Sequence, residues 1–267
     1  MNLFQSFLLG IIQGLTEFIP ISSTAHLLIA QKLLGIPADN ATFSFLVIVQ
    51  LGTILSLFVF YWKDLLAIAK ATFDFRHSTL ERNLGFYLLL ATIPALLAGY
   101  LLKDAVQTLF QQPMLEASIR LLAAAVLLTL AEWLTKKNRA FDSMTWLDAL
   151  FIGVMQIIAV FPGASRSGTT IAGGMFRGFD RPSAARFAFL MSVPVMLAAG
   201  AYEMLDVIQM PNLGAFLPTL AAGFVTAAIV GWFAVKWLIA YLSKRSLYVF
   251  AVYCTVVGAV CLLVNFI

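Results

Sequence analysis

The sequence predicts an all-α polytopic membrane protein arranged as an inverted-topology repeat, with six full spans and two re-entrant helical hairpins. Three observations lead there: a scarcity of charge, six continuous apolar runs, and two interrupted apolar stretches that match each other. Of 267 residues, 61% are hydrophobic and only 11% are charged. A soluble domain carries roughly 25% charged residues, so this chain cannot cover a globular surface. The 23 phenylalanines and long apolar runs exclude disordered, collagen-like and disulfide-framework classes. The runs are continuous rather than alternating, which argues against a transmembrane β-barrel.

Six segments meet the ~20-residue requirement for a spanning helix: 41–62, 84–102, 115–134, 184–204, 217–240 and 247–266. Two stretches, 1–40 and 146–182, are apolar but interrupted near the middle, by FIPISSTAH in the first and FPGASRSGTT in the second. The net charge of +4 is dispersed between apolar segments rather than clustered, so no nucleic-acid partner is expected. The basic residues read instead as topology signals. Lys63, Lys70, Arg76 and Arg82 fall in one loop, and Lys136, Lys137 and Arg139 in another. Arg177, Arg181 and Arg186 flank the end of the second interrupted stretch, and Lys236, Lys244 and Arg245 border the last turn. By the positive-inside rule these segments are cytoplasmic. Lys32, Lys103 and Arg120 belong to the opposite side, which leaves Arg166 unassigned.

The stretch 146–176 begins and ends beside cytoplasmic segments, so it crosses an even number of times. Its 31 residues are too few for two spans of ~20, and a hairpin that enters and returns is expected. Such backbone is tolerated at membrane depth only inside protein or against a water-filled cavity. An internal repeat supports this. Gly10, Gln13, Phe18, Pro20 and Ser23 are followed in the same order by Gly153, Gln156, Phe161, Pro162 and Ser165, and FSFL at 43–46 returns as FAFL at 187–190. Residues 1–140 and 141–267 then form two repeats of one hairpin and three spans within one membrane domain. Three spans is an odd number, so the repeats are inverted and their hairpins meet near the midplane.

The first break carries Gln13, Glu17, Pro20, Ser22, Ser23, Thr24 and His26. Gln13 and Glu17 share a helix face, Pro20 ends that helix, and the hydroxyls can cap the next. Ionisable groups in an apolar stretch point to function, although a protonated, packed Glu17 and an interfacial His26 are the plainer alternative. The second break carries Pro162, Gly163, Ser165, Arg166, Ser167 and Thr170. A helix N-terminus with hydroxyls and one arginine forms a phosphate receptor. Arginine at the bilayer centre costs at least about 2.5–3.5 kcal/mol, so Arg166 needs an anionic ligand or Glu17 as partner. Gln50, Gln156, Glu132 and Glu203 read as interhelical hydrogen bonders or interfacial groups. Gly52, Gly99, Gly173, Gly174 and Gly231 read as close-packing positions, and 63–83 as an amphipathic surface helix. His77 reads as solvated in a basic loop. Cys254 and Cys261, about 10 Å apart along a helix, are too distant for a disulfide. No basic residue precedes Lys32, so the N-terminus is expected to belong to the mature protein rather than to a signal peptide.

The two breaks together resemble the signatures of the undecaprenyl pyrophosphate phosphatase family of the bacitracin-resistance type. Its (E/Q)-x-x-x-E element running into Pro-x-Ser-Ser-Thr-x-His corresponds to Gln13 through His26, and its P-G-x-S-R-S-x-x-T to Pro162 through Thr170. Gln13 stands where other members have Glu, which weakens a carboxylate–metal role there. The S-R-x5-H lipid phosphatases are excluded because position 172 is Ala. The resemblance implies hydrolysis of undecaprenyl pyrophosphate to the monophosphate carrier, and with it cell-wall precursor recycling, bacitracin resistance and divalent-cation stimulation. The implied location is the bacterial plasma membrane, with the site facing the periplasm or exterior. On this reading Arg166, Gly163, Ser165, Ser167 and Thr170 clamp the diphosphate, with Ser22 and Thr24 also binding substrate. Glu17, with Gln13, is expected to hold Mg2+ or Ca2+. Ser23 or His26 is the nucleophile and the other its base or orienting group, with water activated by Glu17 as a further route. A polyprenyl pyrophosphate and membrane lipids are the expected partners, and a homodimer stays open. A transporter or flippase of a phosphorylated lipid is the rival reading, because inverted repeats with broken helices are frequent among transporters.

Overall fold

The fold follows from where the apolar runs are capped and broken. A computed structural model describes residues 1–37, 39–74, 79–102, 113–159, 165–209 and 213–266. Among them the helices are α1 (Leu3–Thr16), α2 (Ser23–Leu33), α3 (Asn40–Phe73), α4 (Leu80–Leu101) and α5 (Pro113–Leu134). A short 3-10 turn, Phe141–Ser143, leads to α6 (Trp146–Ile158), α7 (Arg166–Phe176), α8 (Arg181–Val207), α9 (Leu213–Leu242) and α10 (Tyr248–Phe266). No strand occurs among the described residues. Six helices (α3, α4, α5, α8, α9 and α10) are long and apolar enough to span a membrane. The chain is a multi-pass membrane protein.

Local chemistry sets the ends of the shorter helices. Asn2 and Gln5 close a reciprocal capping box on α1, and Thr145 and Asp148 do the same on α6. The 14 residues of α1 reach about 21 Å at 1.5 Å per residue, short of the ~30 Å hydrocarbon core. The 13 residues of α6 reach less. Each is followed by an 11-residue helix, α2 or α7, where the sequence predicts its two breaks. Pro162 and Gly163 of the second break lie outside the described residues. The helix α3 continues past its expected end to Phe73, through a kink at Tyr61 (φ −105°, ψ 20°). It thereby takes in part of the segment expected as a separate surface helix.

Small residues decide which helices lie together, as expected where lipid offers no hydrophobic drive for association. The helix α1 packs along α9, α3 also packs on α9, α6 packs on α4, and α5 on α10. A Cβ on Gly10 would stand 2.7 Å from the Gly223 carbonyl oxygen, and one on Gly153 2.4 Å from that of Ala91. Gly52 faces the Phe224 carbonyl oxygen as closely, at 2.4 Å. Gly99 departs from the expectation, since a Cβ there meets nothing within 4 Å; it marks no packing contact. Hydroxyls add cross-links: Ser56 donates to the Ala228 carbonyl at 2.7 Å, and Ser118 to that of Gly258 at 2.8 Å.

The basic loops bind buried carboxylates. Asp148, fully buried, accepts from Arg139 (2.8 Å) and Arg177 (2.6 Å). This carboxylate raises the Arg139 pKa above its ordinary value, chiefly through their hydrogen bonds. Glu132 accepts from Arg181 (2.6 Å), Lys137 (3.0 Å) and the Leu247 amide (2.7 Å), which joins the ends of α5, α8 and α10. Glu132 thus fits the expected interhelical role. Among the described residues neither buried amide atom of Gln156 has a hydrogen-bond partner, so no such role is seen for it.

Gly153→Ala forces Cβ into the backbone of α4, and overpacking of this kind costs about 1–3 kcal/mol. Gly99→Ala should be neutral. Thermal unfolding of the two variants in detergent distinguishes them: the first should melt several degrees below wild type and the second alongside it.

Candidate active site

Glu17 caps the C-terminus of α1, in αR conformation, with its amide donating to the Gln13 carbonyl at 3.0 Å. Its side chain is 2% exposed, and both oxygens are taken. Oε2 accepts from Gln13 Nε2 (2.7 Å) and Ser23 Oγ (2.8 Å). Oε1 accepts from Gln50 Nε2 (3.3 Å) and from the Arg166 guanidinium, which forms an ion pair with it. One carboxylate therefore gathers α1, α2, α3 and α7. A buried charge is tolerated when it is paired and hydrogen-bonded in this way.

Two helix N-termini converge on the space beside this carboxylate. A cavity of about 150 Å3 is lined by Ser22, Ser23 and Thr24 at the start of α2 and by Ser165, Arg166 and Ser167 at the start of α7. Glu17, Gln50, Arg120 and Ala159 complete the lining. Helix N-termini present free amides and the positive end of the helix dipole, so a cavity between two of them favours an anion. Ser22 holds φ +66° and ψ 88°, a left-handed conformation in a non-glycine residue, and its side chain does not cap the helix. Such strain gathers at functional sites. Here it turns the chain sharply, so that Ser23 opens α2 facing the cavity.

The predicted residues divide. Glu17, Ser22, Ser23, Thr24, Ser165, Arg166 and Ser167 line the cavity. Gln13 stands behind it, 1% exposed, and positions Glu17. Thr170 is buried and its hydroxyl donates to the Arg166 carbonyl at 2.8 Å, which places it within the helix rather than in the cavity. Ser165 caps α7 at Gly168 (3.2 Å) and exchanges a hydrogen bond with Ser167 (3.1 Å). His26 makes two contacts away from Ser23. Nδ1–H donates to the Ser22 carbonyl at 2.9 Å, and Nε2 accepts from the Tyr253 hydroxyl at 2.8 Å. Gly163 lies outside the described residues.

Three participants escape sequence reasoning. Gln50 reads as an ordinary interhelical polar group, yet it reaches Glu17 across 33 positions of sequence. Tyr253, in the last apolar run, shows no signal at all. Arg120 reads as an orientation charge; the structure places it on α5, 5% exposed, in the cavity wall. Only its isolation from other basic residues could have drawn attention to it.

The donor set does not make a cage for a resident divalent cation. Mg2+ is usually held by one or two carboxylates together with waters and substrate phosphates, whereas a Ca2+ cage takes six to eight oxygen ligands gathered from several groups. Among the described residues no three His, Cys, Asp or Glu side chains cluster in that way. Glu17 already accepts four hydrogen bonds, one from a guanidinium.

An anion-receptive cavity with a hydroxyl–carboxylate pair and a buried arginine, set inside a multi-pass helical protein, defines a membrane-embedded site for a phosphate-bearing ligand. Comparison with known proteins makes this more specific. The profile of the family described as bacitracin resistance protein BacA matches residues 6–260, and the chain belongs to that family. It is 40% identical over 271 residues to an undecaprenyl-diphosphatase of Chlorobium phaeobacteroides, covering 97% of this chain and 95% of that protein. It is 41% identical over 268 residues to one from Anaeromyxobacter sp. strain K, covering 97% and 90%. A Synechocystis undecaprenyl-diphosphatase is 40% identical over 270 residues, covering 98% and 82%.

Arg166→Leu would leave Glu17 charged and buried among neutral donors, at a cost of about 3–5 kcal/mol. Glu17→Gln combined with Arg166→Leu removes both charges and should recover most of that loss. The melting temperatures of the single and double variants in detergent check this, with the double variant expected above Arg166→Leu.

Proposed function

We propose that this protein is an undecaprenyl pyrophosphate phosphatase, hydrolysing the lipid diphosphate to undecaprenyl phosphate and inorganic phosphate. In this role it recycles the carrier of cell-wall precursors and confers resistance to bacitracin. The observation that carries the reading is the Ser23 hydroxyl donating to Glu17 at 2.8 Å in the cavity wall, between two helix N-termini and beside Arg166. A binding site for a phosphorylated lipid needs the clamp but not the hydroxyl–carboxylate pair.

The diphosphate competes with Glu17 for Arg166. Once Arg166 turns to the substrate, Glu17 keeps only neutral donors and is free to take the Ser23 proton. Ser23 Oγ then attacks the terminal phosphorus, its bond to the bridging oxygen breaks, and prenyl phosphate leaves. Arg166 offsets the charge that builds on the departing oxygen, and the amides at the starts of α2 and α7 hold the remaining phosphate oxygens. Water directed by Glu17 cleaves the phosphoserine and releases inorganic phosphate, restoring the serine proton. The contacts of His26 with the Ser22 carbonyl and Tyr253 favour Ser23 as nucleophile, with His26 steadying the strained turn that presents it. A divalent cation would arrive on the diphosphate, and no step here runs through one.

Two further readings belong with this one. The inverted-repeat architecture, with residues 1–140 and 141–267 as its halves, is supported by reciprocal packing. The helix α1 lies on α9 as α6 lies on α4, and the matched glycines Gly10 and Gly153 meet those two helices. On that scheme α1–α2 and α6–α7 are the re-entrant pairs. The plasma membrane, with the cavity open to the outer side, is supported by the basic residues held with Asp148 and Glu132, which mark the opposite end as cytoplasmic.

Phosphate release from farnesyl or undecaprenyl pyrophosphate by the detergent-purified protein tests the function, and its absence with every divalent ion tried would sink it. Ser23→Ala should lower kcat by about 10³-fold or more, and Arg166→Ala by about 10²–10³-fold. Acid-quenched turnover should yield phosphate on Ser23; phosphate on His26 would reassign the nucleophile.

A further inference from the structure

Tyr253 is a polar group within an apolar run, and it takes no part in the steps above. It lies on α10 and is 40% exposed. A tyrosine hydroxyl in such surroundings finds a hydrogen-bond partner, and here the partner is His26. The two rings are stacked, with centroids 5.7 Å apart and planes 9° from parallel, and the hydroxyl lies 2.8 Å from Nε2. The next residue, Cys254, is fully buried, and its thiol stands 4.0 Å from the Pro20 carbonyl oxygen. Consecutive residues of α10 thus touch the first break on both sides of Ser22. The helix α10 is itself held against α5, where Ser118 donates to the Gly258 carbonyl at 2.8 Å. A Cβ on Gly258 would stand 3.0 Å from the Leu122 side chain.

The imidazole carries this contact to the turn. A carbonyl oxygen accepts and cannot donate, so Nδ1, 2.9 Å from the Ser22 carbonyl, bears the proton. In the neutral ring Nε2 is then the acceptor and the tyrosine hydroxyl the donor. Which nitrogen of a histidine is protonated follows from the hydrogen bond that the other makes. The hydroxyl therefore favours the tautomer that binds Ser22, whereas the Nε2–H form would turn a lone pair toward the carbonyl oxygen. Ser22 needs that hold. It sits in the left-handed region at φ +66°, and its own side chain does not cap the helix that follows. Its carbonyl accepts from the His26 amide at 3.3 Å, and the bond from the ring is the shorter of the two. Ser23 comes next, and its Oγ has to stay on Glu17, at 2.8 Å, to lose its proton there.

We propose that Tyr253 is a positioning residue of the hydrolytic site: its hydroxyl holds His26 in the Nδ1–H form, and His26 holds the strained turn that keeps Ser23 on Glu17. This rests on the phosphatase reading with Ser23 as nucleophile. Among the described residues α10 supplies nothing to the cavity lining, yet two successive hydrogen bonds connect it to the reacting hydroxyl's turn. Arg166 and the amides that bind phosphate stand outside this relay, so its loss lowers turnover and leaves substrate binding in place.

Kinetics of the full chain in detergent, with farnesyl diphosphate as substrate, test it through a double-mutant cycle. Tyr253→Phe keeps the ring stack and removes the donor. It should lower kcat by about three- to tenfold, the usual effect of one hydrogen bond, with KM within about twofold of wild type. His26→Ala removes the relay, so adding Tyr253→Phe to it should lower kcat by less than about twofold more. Equal losses from Tyr253→Phe in both backgrounds would show a merely structural role and overturn the proposal. An unchanged kcat, or a rise in KM alone, would overturn it too. A second measurement needs no turnover. NMR of protein carrying 15N-labelled histidine, with the one other histidine of the sequence removed by His77→Gln, reads the tautomer of His26. With Tyr253 present His26 should be in the Nδ1–H form, and Tyr253→Phe should populate the Nε2–H form. An Nε2–H ring with Tyr253 present, or the same tautomer with and without the hydroxyl, overturns the proposal, and this decides the matter where His26→Ala fails to fold or turns over too slowly. If wild type releases no phosphate, the phosphatase reading fails, and the NMR result alone judges whether Tyr253 holds His26.

Discussion

The buried pairing of Glu17 with Arg166 is the contact on which the rest of the arrangement depends. It joins the end of α1 to the start of α7, elements separated by more than half of the chain. Neither charge could be held alone among apolar helices. Together, with Gln13, Gln50 and Ser23 satisfying the remaining acceptor sites, they make a polar centre that the membrane-spanning helices enclose. The same contact limits the chemistry. On the proposed mechanism, a carboxylate locked to an arginine is quiet until an anion competes for the arginine, and the substrate itself activates the site.

Packing explains how the centre is enclosed. The glycine faces of α1, α3 and α6 allow backbone-to-backbone approach, which brings the short helices close against α9 and α4. At the basic end, Glu132 ties α5 to the starts of α8 and α10, and Asp148 ties α6 to Arg139 of the preceding loop and to Arg177 at the end of α7. Charges there fix the helices to one another, and on the proposed topology they also orient the chain. The scarcity of charge in the composition thus conceals a division of labour, with paired charges at one end and a small set around the cavity.

The site follows from two short helices beginning in the same space. Ser22 turns the chain in a strained, left-handed conformation, and Ser165 caps its helix in the ordinary extended one. The first arrangement turns Ser23 toward the cavity, while the second uses the Ser165 hydroxyl to satisfy a backbone amide. Similar sequence at the two breaks therefore yields different geometry, a candidate nucleophile on one side and a candidate clamp on the other.

Length and hydropathy by themselves determined the six spans, because a run of about twenty apolar residues has few alternatives in a membrane. The two interruptions were equally legible, since proline, glycine and hydroxyl clusters end helices for local reasons. So were Glu17 and Arg166 as the charges needing explanation. What only the tertiary structure decided is which side chains meet. Gln50, Arg120 and Tyr253 lie within apolar runs where no periodicity marks them, and they join the site because α3, α5 and α10 pack beside it. The structure also turned His26 and Thr170 onto backbone carbonyls, although their place in the motifs suggested the cavity. A motif fixes which groups are near along the chain. Whether a side chain faces the cavity depends on the rotation of its helix, and that is set by distant residues packing against it.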